Sequence, residues 1–183
     1  MGLSHRFLQR FSVYDMVIIS MMAAIGIAIK PVIVPLVHII SGPLMIPGGV
    51  LAGGFYMMWL VLGVSLTHKI GTATLIGLVQ AIAVIATGML GSHGIFSLIT
   101  YTVPGFLADL GLLLTGHRVC CIPCAFMAGM LANIGGALMV NMVYFRLPLL
   151  PLLLTLATGA LSGGLGGILA FLISKQITKL KYA

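Results

Sequence analysis

The sequence predicts an all-α membrane protein, a single bundle of six transmembrane helices over residues 1–183 with both termini in the cytoplasm. Composition supports this class, because 61% of the 183 residues are hydrophobic and 6% are charged, whereas soluble domains have about 25% charged residues. The length of the apolar stretches supports it too, because nearly the whole chain divides into runs of about 20 residues. The distribution of basic residues indicates the orientation.

Hydropathy, charged residues and the Gly and Pro residues that interrupt the apolar runs predict six helices, at about 13–30, 45–66, 70–89, 95–115, 120–143 and 149–174. The first apolar run lacks a clear small-residue cleavage site, so we interpret it as a retained helix rather than a signal peptide. The connections are short except for 31–44, where Pro31, Pro35 and Ser41-Gly42-Pro43 predict a break in the helix. Apolar residues between the prolines predict a loop that packs on the protein.

Basic residues lie mainly on one side of the predicted bundle. With a cytoplasmic N-terminus, only Lys30 and Arg146 are external, and the basic residues on the inner side are Arg6, Arg10, Lys69, Arg118, Lys175, Lys179 and Lys181. This bias follows the positive-inside rule. The net charge of +7 therefore reflects topology, and scattered basic residues do not indicate a nucleic-acid partner.

Motifs for catalysis are missing from the sequence. The five histidines lack metal-ligand spacing, and no phosphate-binding loop or serine-nucleophile motif is present. Asp15 follows Ser12 in a capping-box arrangement before the first helix. Asp109 is within reach of the 116–118 turn, which favours an interfacial ion pair over a proton relay. The sequence thus predicts a protein that is not an enzyme, with no catalytic residue, metal site or cofactor.

Two amides, Gln80 and Asn133, lie near the middle of the third and fifth predicted helices, each on a face with small residues. Because an unpaired amide is costly in hydrocarbon, both should point inward, to an interhelical hydrogen bond or to a ligand. Polar and aromatic residues gather at the predicted external ends, which favours a binding pocket there. The predicted substrate-binding residues are Gln80, His93, Tyr101, Asn133, Asn141 and Tyr144.

Two further patterns each have an ordinary and a functional interpretation. Small residues at four-residue spacing, such as Ala24 with Ala28 and Gly159 with Gly163 and Gly167, usually mediate internal helix packing. Cys121 and Cys124 have the spacing of a dithiol redox motif, but they are predicted on the reducing cytoplasmic face without a thioredoxin-like strand pattern. Small interfacial packing residues are the favoured interpretation of these cysteines.

The six predicted helices, the long first external segment and Ala24-Ile-Gly-Ile-Ala28 on the first helix resemble the S components of energy-coupling factor (ECF) transporters. The resemblance implies a chain in a prokaryotic plasma membrane, surrounded by lipid, that captures a vitamin or related micronutrient externally. It also implies docking through Ala24 and Ala28 onto a transmembrane coupling subunit, with two ATPase subunits driving uptake.

Within that superfamily, the stretch from Trp59 through the Lys69 run to Gln80, and Gly91-Ser-His-Gly94, resemble the hydroxymethylpyrimidine and thiamine branch. A thiamine precursor or thiamine is therefore the first substrate expectation. Gln80 stands near a position where that branch tends to have an acid, so a neutral or anionic ligand is as compatible as cationic thiamine. The alternatives are a membrane redox protein using Cys121 and Cys124 and a self-sufficient secondary transporter, for which inverted repeats and midplane ionisable groups are missing.

Overall fold

The computed structural model describes residues 10–44, 47–88, 94–116 and 119–181, and every regular element within these ranges is helical. This confirms the predicted all-α class. The α-helices are α1 (Val13–Ser41), α2 (Gly48–Leu51), α3 (Gly53–Thr67), α4 (Thr72–Thr87), α5 (Ser97–Thr115), α6 (Ile122–Val140) and α7 (Leu149–Lys181). Short 3-10 turns at Gly42–Leu44 and Gly94–Phe96 precede α2 and α5, and a π-helical turn at Asn141–Phe145 extends α6.

Four helical segments in the described ranges are long and apolar enough to cross a membrane: Val13–Ser41, Gly94–Leu114, Ile122–Phe145 and Leu149–Leu180. Helices α3 and α4 are apolar but have only 15 and 16 residues. A 15-residue helix is about 23 Å long, whereas the hydrocarbon core is about 30 Å thick. Six membrane spans and cytoplasmic termini therefore remain predictions.

Contacts between side chains show which helix ends share one side of the bundle. Lys69, between α3 and α4, forms an ion pair of 2.6 Å with Asp15 at the start of α1. Ser65 near the end of α3 donates to Ser174 in the last third of α7, with 2.8 Å between the two Oγ atoms. These ends form the side that the sequence assigns to the cytoplasm.

The first helix is longer than the sequence predicts. We expected it to end near residue 30, but α1 continues through Pro31 and Pro35 to Ser41, so the predicted loop at 31–44 is mostly helix. Each proline removes one N–H donor from the helix ladder, which weakens the helix without requiring it to end. Inside a membrane protein, leaving the helix would expose many more backbone groups, and neighbouring elements tolerate the proline.

The sequence predicts one continuous helix at 45–66, and this is wrong. Two separate helices, α2 and α3, occupy the region, and Ala52 forms the turn between them. The amide of Ala52 donates to the carbonyl of Gly48 over 2.9 Å, and the amide of Phe55 donates to Ala52 over the same distance. Glycines surround this turn, and a Cβ atom on Gly53 would collide with the Asn133 side chain. The break therefore lets α6 approach closely.

Helix α3 lies at the centre of the described bundle, with eleven of its 15 residues buried. Close glycine contacts join the surrounding helices: Cβ atoms on Gly129 of α6 and Gly163 of α7 would each collide with the other's carbonyl, and one on Gly167 would collide with the carbonyl of Ala125. The glycine stripe on α7 therefore serves internal packing, as the sequence predicts.

The two acidic residues both stabilise helix N-termini. Asp15 and Ser12 form the predicted capping box at α1, which confirms that prediction. Asp109 has a partner that the sequence did not predict: Oδ2 accepts hydrogen bonds from the amide and the hydroxyl of Thr74, at 2.8 and 2.6 Å, and so caps α4. A carboxylate at a helix N-terminus is favourable because unsatisfied N–H groups meet there. The expected partners, 117–118, lie outside the described residues.

Candidate functional site

A cavity of about 450 Å³ opens at the end of the bundle opposite the Asp15–Lys69 pair. Its wall combines the second half of α1, the segment around α2, and parts of α3, α5 and α6. The lining residues are Lys30, Pro31, Val34, Pro35, His38, Pro47, Gly48, Gly49, Val50, Tyr56, Met57, Thr100, Tyr101, Asn133, Gly136, Ala137, Val140 and Phe145. Its volume and mostly apolar wall with a few polar groups are typical of a small-molecule site.

The prolines of α1 help to shape this cavity. Pro31 and Pro35 lie one helical turn apart and both line its wall. Because proline has no N–H, the carbonyls four residues earlier, Ile27 and Pro31, lack their usual helical donors. The part of α1 that the sequence predicts as a loop is therefore a helical wall of the cavity with weakened backbone pairing.

The described cavity wall contains one lysine, Lys30. Its Nζ atom lies 3.8 Å from the centroid of the Tyr101 ring and 4.5 Å from that of the Tyr56 ring. These distances are typical of cation–π contacts. The Tyr56 hydroxyl donates a hydrogen bond to the carbonyl of Gly49, which fixes one of the two rings. The lysine is thus positioned by aromatic rings from α3 and α5.

Asn133 closes the cavity from α6 and is almost fully buried. Its Nδ2 atom donates to the carbonyl of Val50 over 2.9 Å and to that of Gly159 over 2.8 Å. Both N–H groups of the amide are therefore used to join α2 and α7 to α6. The sequence left two roles open for Asn133, an interhelical hydrogen bond and a contact with a ligand. Asn133 forms the interhelical hydrogen bonds, and it also lines the cavity.

Thr100 adds a buried hydroxyl to the wall. It is 7% exposed, and its Oγ1 atom has no hydrogen-bond partner in the described part of the chain. Buried hydroxyls are normally paired, so one that lines a cavity is available to a ligand or to water. His38 lies exposed in the same wall, two turns beyond Lys30 on α1.

The structure brings two of the six predicted substrate-binding residues to this cavity, Tyr101 and Asn133. Gln80 is buried between α1 and α4, where its Nε2 atom lies 3.4 Å from the carbonyl of Ala23. Asn141 accepts a hydrogen bond from the amide of Leu147 over 2.9 Å and so holds the turn after α6. Tyr144 is 40% exposed outside the cavity wall, and His93 lies outside the described residues.

The predicted set omitted Lys30, Tyr56 and Thr100. For Lys30 a signal was available, since an ionisable residue within a transmembrane helix usually marks a functional site. We expected the first helix to end at this residue, so Lys30 was grouped with the polar residues of the external ends and not with residues inside a helix. The continuation of α1 to Ser41 places Lys30 within the helix. Thr100 is one of the polar residues near the external ends from which the sequence predicts a pocket, whereas Tyr56 carries no distinguishing pattern.

The outer face of α1 carries the predicted partner-binding residues. Ala24 and Ala28 are both exposed on the described bundle, as is Ser20 one turn earlier. Larger exposed side chains, including Val17 and Met21, flank them. Unlike the glycines of α6 and α7, these two small residues are exposed to the surroundings of the described bundle, and we interpret this stretch of α1 as a shallow groove.

The cysteines lie at the start of α6, on the side away from the cavity. The Sγ atoms of Cys120, Cys121 and Cys124 are all within 4.8 Å of one another. Hydrogen bonding to Cys124 lowers the pKa of the Cys121 thiol. Cys124 is buried, whereas Cys120 is exposed. The cluster is thus separate from the cavity and belongs to the side predicted as cytoplasmic.

Comparison with known proteins assigns the family. The family model described as "ABC-type cobalt transport system, permease component" matches residues 14–135, about two thirds of the chain. The chain belongs to this permease family. It is accordingly a membrane-embedded transport protein and not an enzyme. A comparison with curated proteins found no match.

The fold of this cobalt-type permease is shared with a solved structure, described as "Crystal structure of an S-component of ECF transporter". The two align with a TM-score of 0.75 at 19% sequence identity, over 93% of this chain and 87% of the other. At this identity the similarity concerns the fold. The permease family and the S-component fold favour transport over the redox alternative.

Proposed function

We propose that this chain is the substrate-binding S component of an ECF-type ABC importer in a prokaryotic plasma membrane, and that it captures a small organic micronutrient in the cavity around Lys30. The single observation that carries the proposal is this cavity, which has a volume of about 450 Å³. It lies at the predicted external end and contains a few polar groups in a mostly apolar wall. An S-component fold supports the same function.

An organic molecule suits the cavity better than the cobalt ion that the family description names. Cobalt binding requires several nitrogen, oxygen or sulfur ligands arranged around the ion. The described wall offers a single imidazole, His38, and neither a carboxylate nor a thiol. The ammonium of Lys30 would in addition repel a divalent cation. These features favour an uncharged or negatively charged organic ligand.

Among vitamins, a thiamine precursor is the first candidate from the sequence resemblance. Hydroxymethylpyrimidine is neutral and small enough for the cavity, whereas thiamine carries a cationic ring that would lie near Lys30. We therefore retain the precursor as a candidate and rank thiamine below it. The aromatic rings of Tyr56 and Tyr101 offer surfaces on which a planar ring can pack.

Transport requires partners that supply energy, since the sequence contains no phosphate-binding motif. We propose that the groove at Ala24 and Ala28 docks onto a transmembrane coupling subunit and that two ATPase subunits drive uptake. Small exposed residues allow a second helix to approach closely in lipid. Their exposure on α1 supports this partner surface, because the described helices leave both residues accessible to a second chain.

Mass spectrometry of small molecules that co-purify with the chain, followed by uptake into proteoliposomes, tests this function. We expect one organic compound to co-purify, and to accumulate only when the coupling subunit, both ATPase subunits and ATP are present. Matched proteoliposomes with hydrolysis-deficient ATPase subunits are the control. Accumulation by the chain alone would instead indicate a secondary transporter, and the absence of any bound compound together with absent uptake would contradict the proposal.

A further inference from the structure

We propose that the ligand of this cavity carries an anionic group, a carboxylate or a phosphate, and that Lys30 binds this group directly. The inference rests on the proposed function and narrows its substrate class to anionic micronutrients, which removes the neutral thiamine precursor from the candidates. It starts from an imbalance of charge, since the cavity wall contains a lysine and the described wall contains no acidic residue.

Neither acidic residue of the chain is available to Lys30. The sequence contains two acids in total, Asp15 and Asp109. Asp15 pairs with Lys69 at 2.6 Å and with Ser12 in the capping box, on the opposite side of the bundle. Asp109 accepts two hydrogen bonds from Thr74 at the start of α4. Any negative charge that neutralises Lys30 must therefore come from outside these side chains.

Lys30 cannot be explained as a lysine at the end of a helix. It lies eleven residues before Ser41, the last residue of α1, which is about 16 Å along the helix axis. Two rings from other helices hold its Nζ atom, at 3.8 Å for Tyr101 and 4.5 Å for Tyr56. This arrangement orients the ammonium at the wall of the cavity.

The two rings stabilise the ammonium only in part. A ring face attracts a cation, but it does not replace a counter-ion, and a charge within a membrane bundle normally pairs with an opposite one. An anionic ligand would supply that charge together with acceptors for the N–H groups of Lys30. The buried, unpaired hydroxyl of Thr100, next to Tyr101 in α5, would donate a second hydrogen bond to the ligand.

The same arrangement selects against other ligands. A cationic compound would bring like charges together in an environment of low dielectric constant. A neutral compound of the same shape would exclude water and leave the ammonium without a counter-ion, which is unfavourable for a buried charge. We therefore expect discrimination by charge, in favour of the acid over its neutral analogue.

The test uses wild-type protein, Lys30→Met, Lys30→Arg and a matched control, Lys175→Met. Lys175 also lies over an aromatic ring, Phe171, at 4.7 Å, but it is in α7 on the other side of the bundle. Co-purified compounds are identified by mass spectrometry. In parallel, thermal shifts are measured with matched acid and neutral probes: pantothenate and panthenol, nicotinate and nicotinamide, biotin and biotinamide.

We expect the compound bound to wild-type protein and to Lys175→Met to carry a carboxylate or phosphate. Its affinity should fall by about tenfold or more in Lys30→Met and partly recover in Lys30→Arg. Any probe that stabilises the wild type should be the acid of its pair. Thr100→Val, which removes the hydroxyl with little change of shape, should weaken binding by a smaller factor.

Three results would overturn the inference. The first is a co-purified compound that is neutral or cationic, and the second is equal binding by wild type and Lys30→Met. The third is a loss of melting temperature in ligand-free Lys30→Met with an unchanged ligand-induced shift, which would show that Lys30 only joins helices. In each of these cases a ligand still binds, so the proposed function survives. If neither a co-purified compound nor a probe binds the wild type, the proposed function fails and the inference fails with it.

Discussion

The carboxylate of Asp109 accepts hydrogen bonds from both the amide and the hydroxyl of Thr74, with Oδ2 at 2.8 and 2.6 Å. A side chain of α5 thereby caps the N-terminus of α4. We predict that Asp109→Ala lowers the free energy of unfolding by about 1–3 kcal/mol, because two donors lose their acceptor. Denaturation in mixed micelles measures this value.

The pairing is checked by a double-mutant cycle with Thr74→Val. The two substitutions should be clearly non-additive, because they remove the same contact. Additive effects would show that Asp109 stabilises α4 through some other group, such as the turn at 116–118 that the sequence favoured.

The contact between Gly129 of α6 and Gly163 of α7 predicts a strong effect of a single methyl group. A Cβ atom on Gly129 would collide with the carbonyl of Gly163. Gly129→Ala should therefore cost about 1–3 kcal/mol of stability through overpacking. The control is Gly42→Ala, where nothing lies within 4 Å of the added atom. Equal melting temperatures for both variants would contradict this packing.

The exposed pair on α1 predicts a variant that folds but does not assemble. Ala24→Trp should change the free energy of unfolding by less than about 0.5 kcal/mol, since Ala24 is exposed on the described bundle. Co-purification with the coupling subunit should weaken by about tenfold or more, because the indole fills the groove. Both quantities are measured on the same preparations.

Ala157→Trp is the matched control for this surface, because Ala157 is an exposed alanine on α7. It should leave assembly and uptake unchanged. If Ala24→Trp instead destabilises the isolated chain and still assembles, the partner surface lies elsewhere.

The cavity also predicts which aromatic and amide residues affect binding. Tyr101→Leu should raise the Kd of the co-purified compound by about tenfold to a hundredfold, because it removes the ring nearest Lys30. Gln80→Leu should change it by less than about threefold, since Gln80 is not in the cavity wall. Isothermal calorimetry measures both. A large effect of Gln80→Leu would favour the site that the sequence predicts.

Topology predicts opposite accessibility for the two ends of α6. In intact cells, a membrane-impermeant maleimide should label Arg146→Cys, placed in a variant without native cysteines. Cys120, exposed at the start of the helix, should be labelled only after permeabilisation. The opposite pattern would place the cysteine cluster on the external, oxidising side of the membrane and would support the redox alternative.

Local patterns allowed part of this architecture to be predicted. The class follows from composition, and the capping box at Ser12 and Asp15 follows from residues three apart. Helix positions are close to prediction for α4 and α5, where glycine or polar residues end the apolar runs. These features depend on near neighbours in the chain, which is why hydropathy and spacing are sufficient.

The lining of the candidate cavity was only partly predictable, for a different reason. Tyr101 and Asn133 were predicted, since their residue types are unusual within apolar helices, but Gln80 has the same character and faces α1. Sequence spacing tells which residues share a helical face. It does not tell which neighbour that face meets, because rotation and tilt follow from packing with other helices.

The sequence by itself determined a helical membrane protein with a capped first helix and small residues suited to close packing, and it predicts that the basic side faces the cytoplasm. Tertiary structure alone decided that α1 continues past Pro31 and Pro35, that Asp109 caps α4, and that Lys30 meets Tyr56 and Tyr101. The physical reason is the distance along the chain between the partners. Each of these features depends on groups that only the packed bundle brings into contact.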